Sequence, residues 1–398
     1  MNLPIVVYSH LRWDSVFQRP HHIVSRLARE RTVVFVEEPL PSEPGDPDSW
    51  ELQWPDENLV VARPRLPADA PGFQAGGARL VAMTRALLRS LAIEHHAAWL
   101  YTPMALHVAL AMKPSRVAYD CMDDLASFLG APREMVLREA QLLRVGDVVF
   151  TGGPSLYRAK RALHPNVHCF PSSVDAPHFR RAREPGPDPD EVRGLARPRL
   201  GFYGVLDERL DAKLVADVAD ARPGWQIVLV GPVAKIDPAC LPRRPNVHYL
   251  GQRPYEELPA HLAAWDVCLL PFARNDATRL ISPTKTLEYM AAEKPIASTP
   301  IRDVADPYGH VVYLGHDAPS FVEACERALA EDAETRARRV GAMRRIVART
   351  SWDVTARAML AALESADAKR RAPPAAGDVA RVRPLTVHAL ASHEEGAR

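Results

Sequence analysis

Short apolar runs alternate with helical stretches along most of this chain, twice over, and that alternation most constrains its fold. The first series of runs is "PIVVYS" (4–9), "TVVFVE" (32–37), "LVVA" (59–62), "AAWLY" (97–101), "RVAYD" (116–120), "DVVFT" (147–151) and "NVHCF" (166–170). They are rich in β-branched residues and lack polar alternation, which predicts parallel strands buried on both faces. Helical patterns near 20–30, 77–94, 104–112, 132–145 and 154–163 supply the cover, and the Pro- and acid-rich residues 41–58 read as a loop. The stretch "RRAREPGPDPDEVRGLARP" (180–198) interrupts the alternation and reads as a linker. A second series follows: "RLGFYG" (199–204), "WQIVLVG" (225–231), "NVHYLG" (246–251), "DVCLLPF" (266–272), "PIAS" (295–298) and "HVVYL" (310–314). Its helices fall near 210–221, 255–264, 283–293, 318–330 and 333–348, with a last helix at 352–366.

The expected fold is therefore α/β, two Rossmann-like doubly wound domains facing across a cleft. Residues 1–178 form the first, 179–198 the linker and 199–350 the second. Residues 351–368 cross back to the first domain, and the Ala-, Pro- and Arg-rich 369–398 are expected to be a disordered tail. A length of 398 residues suits two cores. With 50 basic and 49 acidic residues, the chain has no broad basic balance for nucleic acid. The five scattered cysteines suggest neither a disulfide framework nor a zinc site, so a reducing, cytoplasmic setting is expected. "MNLPIVVYSH" enters a strand pattern without a leader signature, and no apolar run is long enough for a bilayer.

Doubly wound sheets bind ligands beyond the carboxyl ends of their strands. In "ISPTKTLEYMAAEKPIAST" (281–299), Ser282 suits an N-cap and Pro283 the first helical position, which puts Thr284 and Lys285 in the first turn. A lysine there opposes the macrodipole unless an anion lies between it and the free N–H groups. Arg209 lies just past Gly204, Lys235 ends "VGPVAK", and Arg279 precedes Lys285 in "NDATRLISPTK". Four cations on strand-end loops suit a diphosphate, and Glu288, one turn into the helix, suits ribose hydroxyls. The plainer alternatives are a surface Lys285–Glu288 pair, an Arg209 paired with Asp207 or Asp211, and a solvated Lys235.

In the first domain, "SHLRWDSVFQRPHH" (9–22) crowds Trp13, Asp14, Gln18, Arg19 and His21 onto one strand-end loop, either as an acceptor site or as a packed loop. "DCMDDL" (120–125) brings Asp120, Asp123 and Asp124 to another strand end without D-x-D spacing; they orient a sugar or cap a helix. "TGGPS" (151–155) lacks the G-x-G-x-x-G spacing of a dinucleotide fingerprint. Helix 77–94 carries Arg79, Arg85 and Arg89, which leaves open peripheral membrane contact or a core helix with solvated arginines.

The segment "SPTKTLEYMAAEKPIAST", together with "VLVGPVAK", "NVHYLGQRPYEELPAHLAAWDVCLLPF" and the closing "SW" helix, resembles the retaining GT-B-type glycosyltransferases that include the family-4 enzymes. "WDSVFQRPHH" and "YDCMDDL" are similar to a bacterial subgroup assigned to envelope or exopolysaccharide synthesis. The resemblance covers most of the chain and is strongest at about 200–304. It implies a GT-B architecture, with a UDP- or GDP-sugar in the second domain and a glycan or lipid-linked acceptor in the first. It implies no metal and no cofactor, and a cytoplasmic protein that rests at most peripherally on the inner membrane face.

Arg209 and Lys235 would then contact the diphosphate, with Lys285, Ser282 and Thr284 at the helix end and Glu288 on the ribose. Arg209, Lys285, Asp120 and Asp123 would be the catalytic set. The group's second glutamate, seven residues before Glu288, is Ile281 here, which leaves Asn275 or Asp276 to recognise the sugar. A sugar-nucleotide hydrolase or 2-epimerase, or a non-catalytic partner protein, would share the same fold.

Overall fold

The computed structural model describes residues 2–43, 45–67 and 72–366; the expected tail 369–398 lies outside the described residues. Nine strands form the first sheet: β1 (Ile5–Ser9), β2 (Val33–Glu37), β3 (Leu40–Pro41), β4 (Ser49–Asp56), β5 (Leu59–Leu66), β6 (Ala97–Leu100), β7 (Arg116–Cys121), β8 (Val148–Thr151) and β9 (Val167–Cys169). Their order is β3-β5-β2-β1-β6-β7-β8-β9, all parallel, with β4 antiparallel to β5. Six parallel strands form the second sheet: β10 (Arg199–Tyr203), β11 (Gln226–Val230), β12 (Val247–Tyr249), β13 (Val267–Leu270), β14 (Ile296–Ser298) and β15 (Tyr313–Leu314), in the order β12-β11-β10-β13-β14-β15. Strand order reverses at β1 in one sheet and at β10 in the other, so each sheet opens a crevice beyond those strands.

The β-branched runs are buried end to end, as both-face cover requires: every residue of β1, β2 and β10 is buried. The loop expected at 41–58 instead contains β4. Trp50, Leu52 and Trp54 alternate with Glu51 and Gln53, a period of two that outweighs the local Pro and acidic content. Pro55 is tolerated because β4 is an edge strand whose register shifts between Gln53 and Asp56. Within the segment read as a linker, Val192 lies on the short helix Asp190–Arg193 and is fully buried with Val174, Phe179 and Ala182 in the second domain's core. Arg199 fastens it through Asp188 at 2.6 Å.

The helix Trp352–Ser365 packs on the first sheet. Trp352, Ala356, Met359, Leu360 and Leu363 share a core with Ile5, Val7, Ile23 and Leu27, and Asp353 bridges Arg29 at 2.6 Å. Trp352 stacks on His22, with ring centroids 4.6 Å apart and planes within 9°. Burial, and then the nearby Arg26, push the His22 pKa down to about 2. The unfolded chain therefore binds a proton near pH 6.5 that the folded chain refuses, and stability falls as pH drops through that window. Between pH 6.5 and 5 the loss is about 2 kcal/mol from this group alone. Denaturant unfolding of His22→Gln should show a shallower acid dependence than wild type; equal slopes would remove His22 as the cause.

The helix 77–94, which begins at Ala78 and ends at Ser90, buries Leu80, Leu87 and Leu88. Its Arg79 pairs with Asp48 at 3.4 Å, and Arg85 donates to the Ala111 carbonyl at 3.4 Å. Among the described residues no helix is long and apolar enough to cross a membrane.

Candidate functional site

The ends of β10 and β13 meet the first domain around a cavity of about 100 Å³. Gln18, Arg19, Met122, Asp123 and Gly152 line it from the first domain, and Phe202, Arg209, Ile281, Ser282, Thr284 and Lys285 from the second. Lys285 opens the helix Lys285–Ala291 and passes over Gly204. A Cβ on Gly204 would stand 2.3 Å from the Lys285 Cε, and the residue's φ of 140° also favours glycine. The ammonium lies 5.7 Å from the centroid of the Phe202 ring, and among the described residues no carboxylate or carbonyl accepts from it. Burial, and then the Arg209 charge, lower its pKa.

Arg209 is gripped by buried Asp207, whose carboxylate accepts at 2.7–3.1 Å, so the Asp207 alternative of the sequence is realised. Burial opposes the guanidinium charge and Asp207 more than offsets it, so the Arg209 pKa rises. The clamp leaves Arg209 on the cavity wall, 5.3 Å from the centroid of the Phe128 ring. Lys235 sits over the same ring at 4.7 Å. Phe128 and Tyr203 had no distinguishing mark in the sequence, because each acquires its place only when the two domains or their loops meet.

The carboxylates of 120–125 diverge. Asp120 is fully buried and accepts from Arg19 at 2.9–3.2 Å, while Arg19 also donates to the Phe170 carbonyl at 2.7 Å. This closed pair braces the cavity: Arg19 lines it and Asp120 does not, so Asp120 is not placed to touch a reacting group. Asp124 accepts from Ser127 at 2.7 Å and faces Lys160 at 3.5 Å. Asp123 alone of the three lines the cavity; burial raises its pKa and Arg209 opposes the rise.

A second cavity, of about 560 Å³, lies on the other side of the 202–205 loop and is lined by Trp13, Asp14, Tyr203, Gly204, Gly231, Arg253 and Tyr255. That volume is within the range of small-ligand sites. Trp13 packs edge-on to Phe35 at 5.1 Å, and Asp14 pairs with Arg63 at 2.9 Å. His21, expected on the acceptor, has no free nitrogen. Its Nδ1 accepts from the Gln18 N–H at 3.1 Å, which leaves Nε2 to donate to the Trp13 carbonyl at 2.8 Å. Gln18 caps the helix Arg19–Ala28, and its exposed edge lines the smaller cavity.

Glu288 is buried and accepts from the Tyr203 hydroxyl, and burial raises its pKa. It lines neither cavity; Tyr203 stands between it and the larger one. Ser282 is not the helix cap. Thr284 occupies that position, and its hydroxyl donates to Ser172 Oγ at 2.9 Å. Ser282 is drawn instead against Gly153 of the first domain, where a Cβ would meet its own at 2.5 Å. Ile281 is buried in the second core. Asn275 donates to the Glu208 carbonyl at 2.7 Å and accepts from the Thr278 N–H at 3.1 Å, so it holds its own loop rather than a sugar. Arg279, expected beside Lys285, is exposed and faces a separate groove with Asp276, because the 3₁₀ turn Asp276–Thr278 swings it outward.

Residues 197–331 match the family model of glycosyl transferases group 1. TuaH of Bacillus subtilis (strain 168), which carries the provisional name teichuronic acid biosynthesis glycosyltransferase, is 27% identical over 258 residues. The match covers 60% of this chain and spans 64% of TuaH, just under two thirds of that protein's length. A trehalose-6-phosphate structure from E. coli with bound UDP-2-fluoro glucose superposes with a TM-score of 0.68 at 12% identity, over 91% of this chain and 99% of that one. Sucrose-phosphate synthase from Thermosynechococcus elongatus gives 0.67 at 16%, over 90% and 98%. At such identities the likeness shows the fold. The chain has the GT-B fold of two facing Rossmann-like domains, and the match to glycosyl transferases group 1 falls on the second of them.

Proposed function

We propose that the protein transfers a sugar from a UDP- or GDP-linked donor to a glycan or lipid-linked acceptor, with retention, in the synthesis of a cell-envelope or exopolysaccharide polymer. The observation that carries this reading is the unpartnered Lys285 ammonium beside Arg209, in an interdomain cavity next to a nucleoside-sized one. A partly buried cation without an acceptor is costly and is relieved by an anionic ligand. In the reaction, the bond between the sugar's anomeric carbon and the β-phosphate oxygen breaks, and the acceptor hydroxyl forms the new one. Negative charge develops on the departing diphosphate, where Lys285 and Arg209 stabilise it. The leaving phosphate takes the acceptor's proton on the same face. Asp123, the free carboxylate in the cavity, is assigned to orienting a sugar hydroxyl, the task that Ile281 has no group to perform. Tyr203, held by Glu288, faces the nucleoside.

The test is thermal unfolding with UDP, GDP, ADP and dTDP, then turnover of the matching nucleotide sugars with and without acceptor. One nucleotide at about a hundred times its Kd should stabilise the fold by roughly 2.7 kcal/mol. No response to any nucleotide would overturn the donor site. Equal turnover with and without acceptor would make the protein a hydrolase.

A further inference from the structure

A third cavity, of about 850 Å³, straddles the domains on the far side of the 278–284 segment, and its walls carry Arg158, Arg274, Arg279 and Arg302. Among the described residues, Asp276 is the only acidic one lining it. We infer that this groove binds the acidic groups of an anionic acceptor, so that the acceptor of the proposed transfer is a multiply charged oxyanion rather than a neutral glycan. The inference rests on the glycosyltransferase reading given above.

The four guanidinium groups are not consumed by internal pairs. Arg274 is exposed and makes no ion pair among the described residues. Arg279 is 62% exposed and comes only within 4.0 Å of Asp124. Arg302 has a solvated i,i+4 partner in Asp306 at 3.4 Å, a weak contact. Arg158 is set in place by the Ser155 hydroxyl at 3.0 Å, and lies 3.8 Å from Asp303. Asp303 is itself buried and already accepts from the Ser155 N–H at 3.2 Å and the Ser155 hydroxyl at 2.5 Å. Four like charges around one groove repel one another, and the arrangement is relieved by oxyanions that accept from the planar forks.

Position points the same way. Arg279 and Leu280 line the groove, and the next residues, Ile281 to Lys285, line the cavity assigned to the diphosphate. Arg158 comes from the helix Pro154–Lys160 of the first domain, whereas Arg274, Arg279 and Arg302 come from the second. A chain lying in the groove therefore touches both domains and ends beside the donor cavity. Carboxylates along a glycan and a diphosphate at its anchored end offer the same chemistry to these arginines.

The experiment measures binding of tetragalacturonic acid, maltotetraose and inorganic diphosphate by calorimetry to the wild-type chain and to Arg274→Glu/Arg302→Glu. Neither residue lies in the donor cavities, so the nucleotide response should be unchanged in the variant. The acid oligosaccharide should bind the wild type at least tenfold tighter than maltotetraose and lose at least tenfold in the double variant. Competition by diphosphate at lower concentration than the oligosaccharide would identify a phosphate-bearing acceptor as the source of the charge. Equal binding of the acidic and neutral oligosaccharides, with no binding of diphosphate at this groove, would overturn the inference. So would full retention of tetragalacturonic acid binding in the variant. A missing nucleotide response in the wild type would instead count against the donor site, since the oligosaccharide measurements do not depend on it.

Discussion

Lys285→Ala is expected to lower turnover of the nucleotide sugar at least about a hundredfold, the scale of losing one group that stabilises developing charge. The same variant should lose the thermal response to nucleotide without becoming less stable in its absence. In the free protein, the ammonium lies against Phe202 with no hydrogen-bond acceptor, and burial depresses its pKa. A lysine depressed on folding binds fewer protons in the folded than in the unfolded chain above its folded pKa. Wild-type stability therefore gains with rising pH over that window, relative to a variant lacking the ammonium. Nucleotide affinity moves the other way, because the ammonium is what binds the anion. Opposite pH trends for stability and affinity, both absent in Lys285→Met, would separate an anion-binding lysine from a merely structural one. Turnover near wild type in Lys285→Ala would sink the assignment.

Lys285 stands out in the sequence because a cation in a helix's first turn contradicts local energetics, and the structure places it on a cavity wall beside Arg209. The strands were legible because fully buried parallel strands leave continuous apolar runs, and the two series map onto two sheets. Arg279 shows where that reasoning stops. It is as cationic as Lys285 and six residues away, yet a single 3₁₀ turn sends it to another groove. His21 and Arg19 look like ligands in a polar loop, but tertiary partners brought from Trp13, Asp120 and Phe170 occupy them. Phe128 and Tyr255 were invisible for the converse reason. Phe128 meets Arg209 and Lys235, and Tyr255 stacks on Phe17 at 4.4 Å, only because the domains face each other. The β4 strand was hidden by composition, since its alternation spans few residues and none of them is fully buried.

Trp352→Ala should cost about 3–5 kcal/mol, the range for removing a large aromatic side chain from a packed core. The loss should appear in the first domain, although the residue follows the second in sequence. Trp352 is 1% exposed and shares its core with β1, β2 and the helix Arg19–Ala28. Three ion pairs add to that seam: Arg26 and Arg29 reach Asp353 at 3.3 and 2.6 Å, and Arg31 reaches Glu364 at 3.0 Å. Pairs whose carboxylates stand about half in solvent contribute little beside the apolar contact, so charge reversal at Asp353 should cost far less than the loss of the indole. Amide hydrogen exchange separates the possibilities. In Trp352→Ala, protection should fall along β1 and β2 and persist along β10 and β11. Equal loss in both sheets would mean that the helix couples the two domains into one cooperative unit, and loss confined to β10 and β11 would remove it from the first domain altogether. Because the helix Arg19–Ala28 begins at the Arg19 that braces the donor cavity through Asp120, loosening it should also weaken nucleotide binding. Under the proposed assignment, the C-terminal helix then serves the site without touching it, by fixing the wall opposite Lys285 and Arg209.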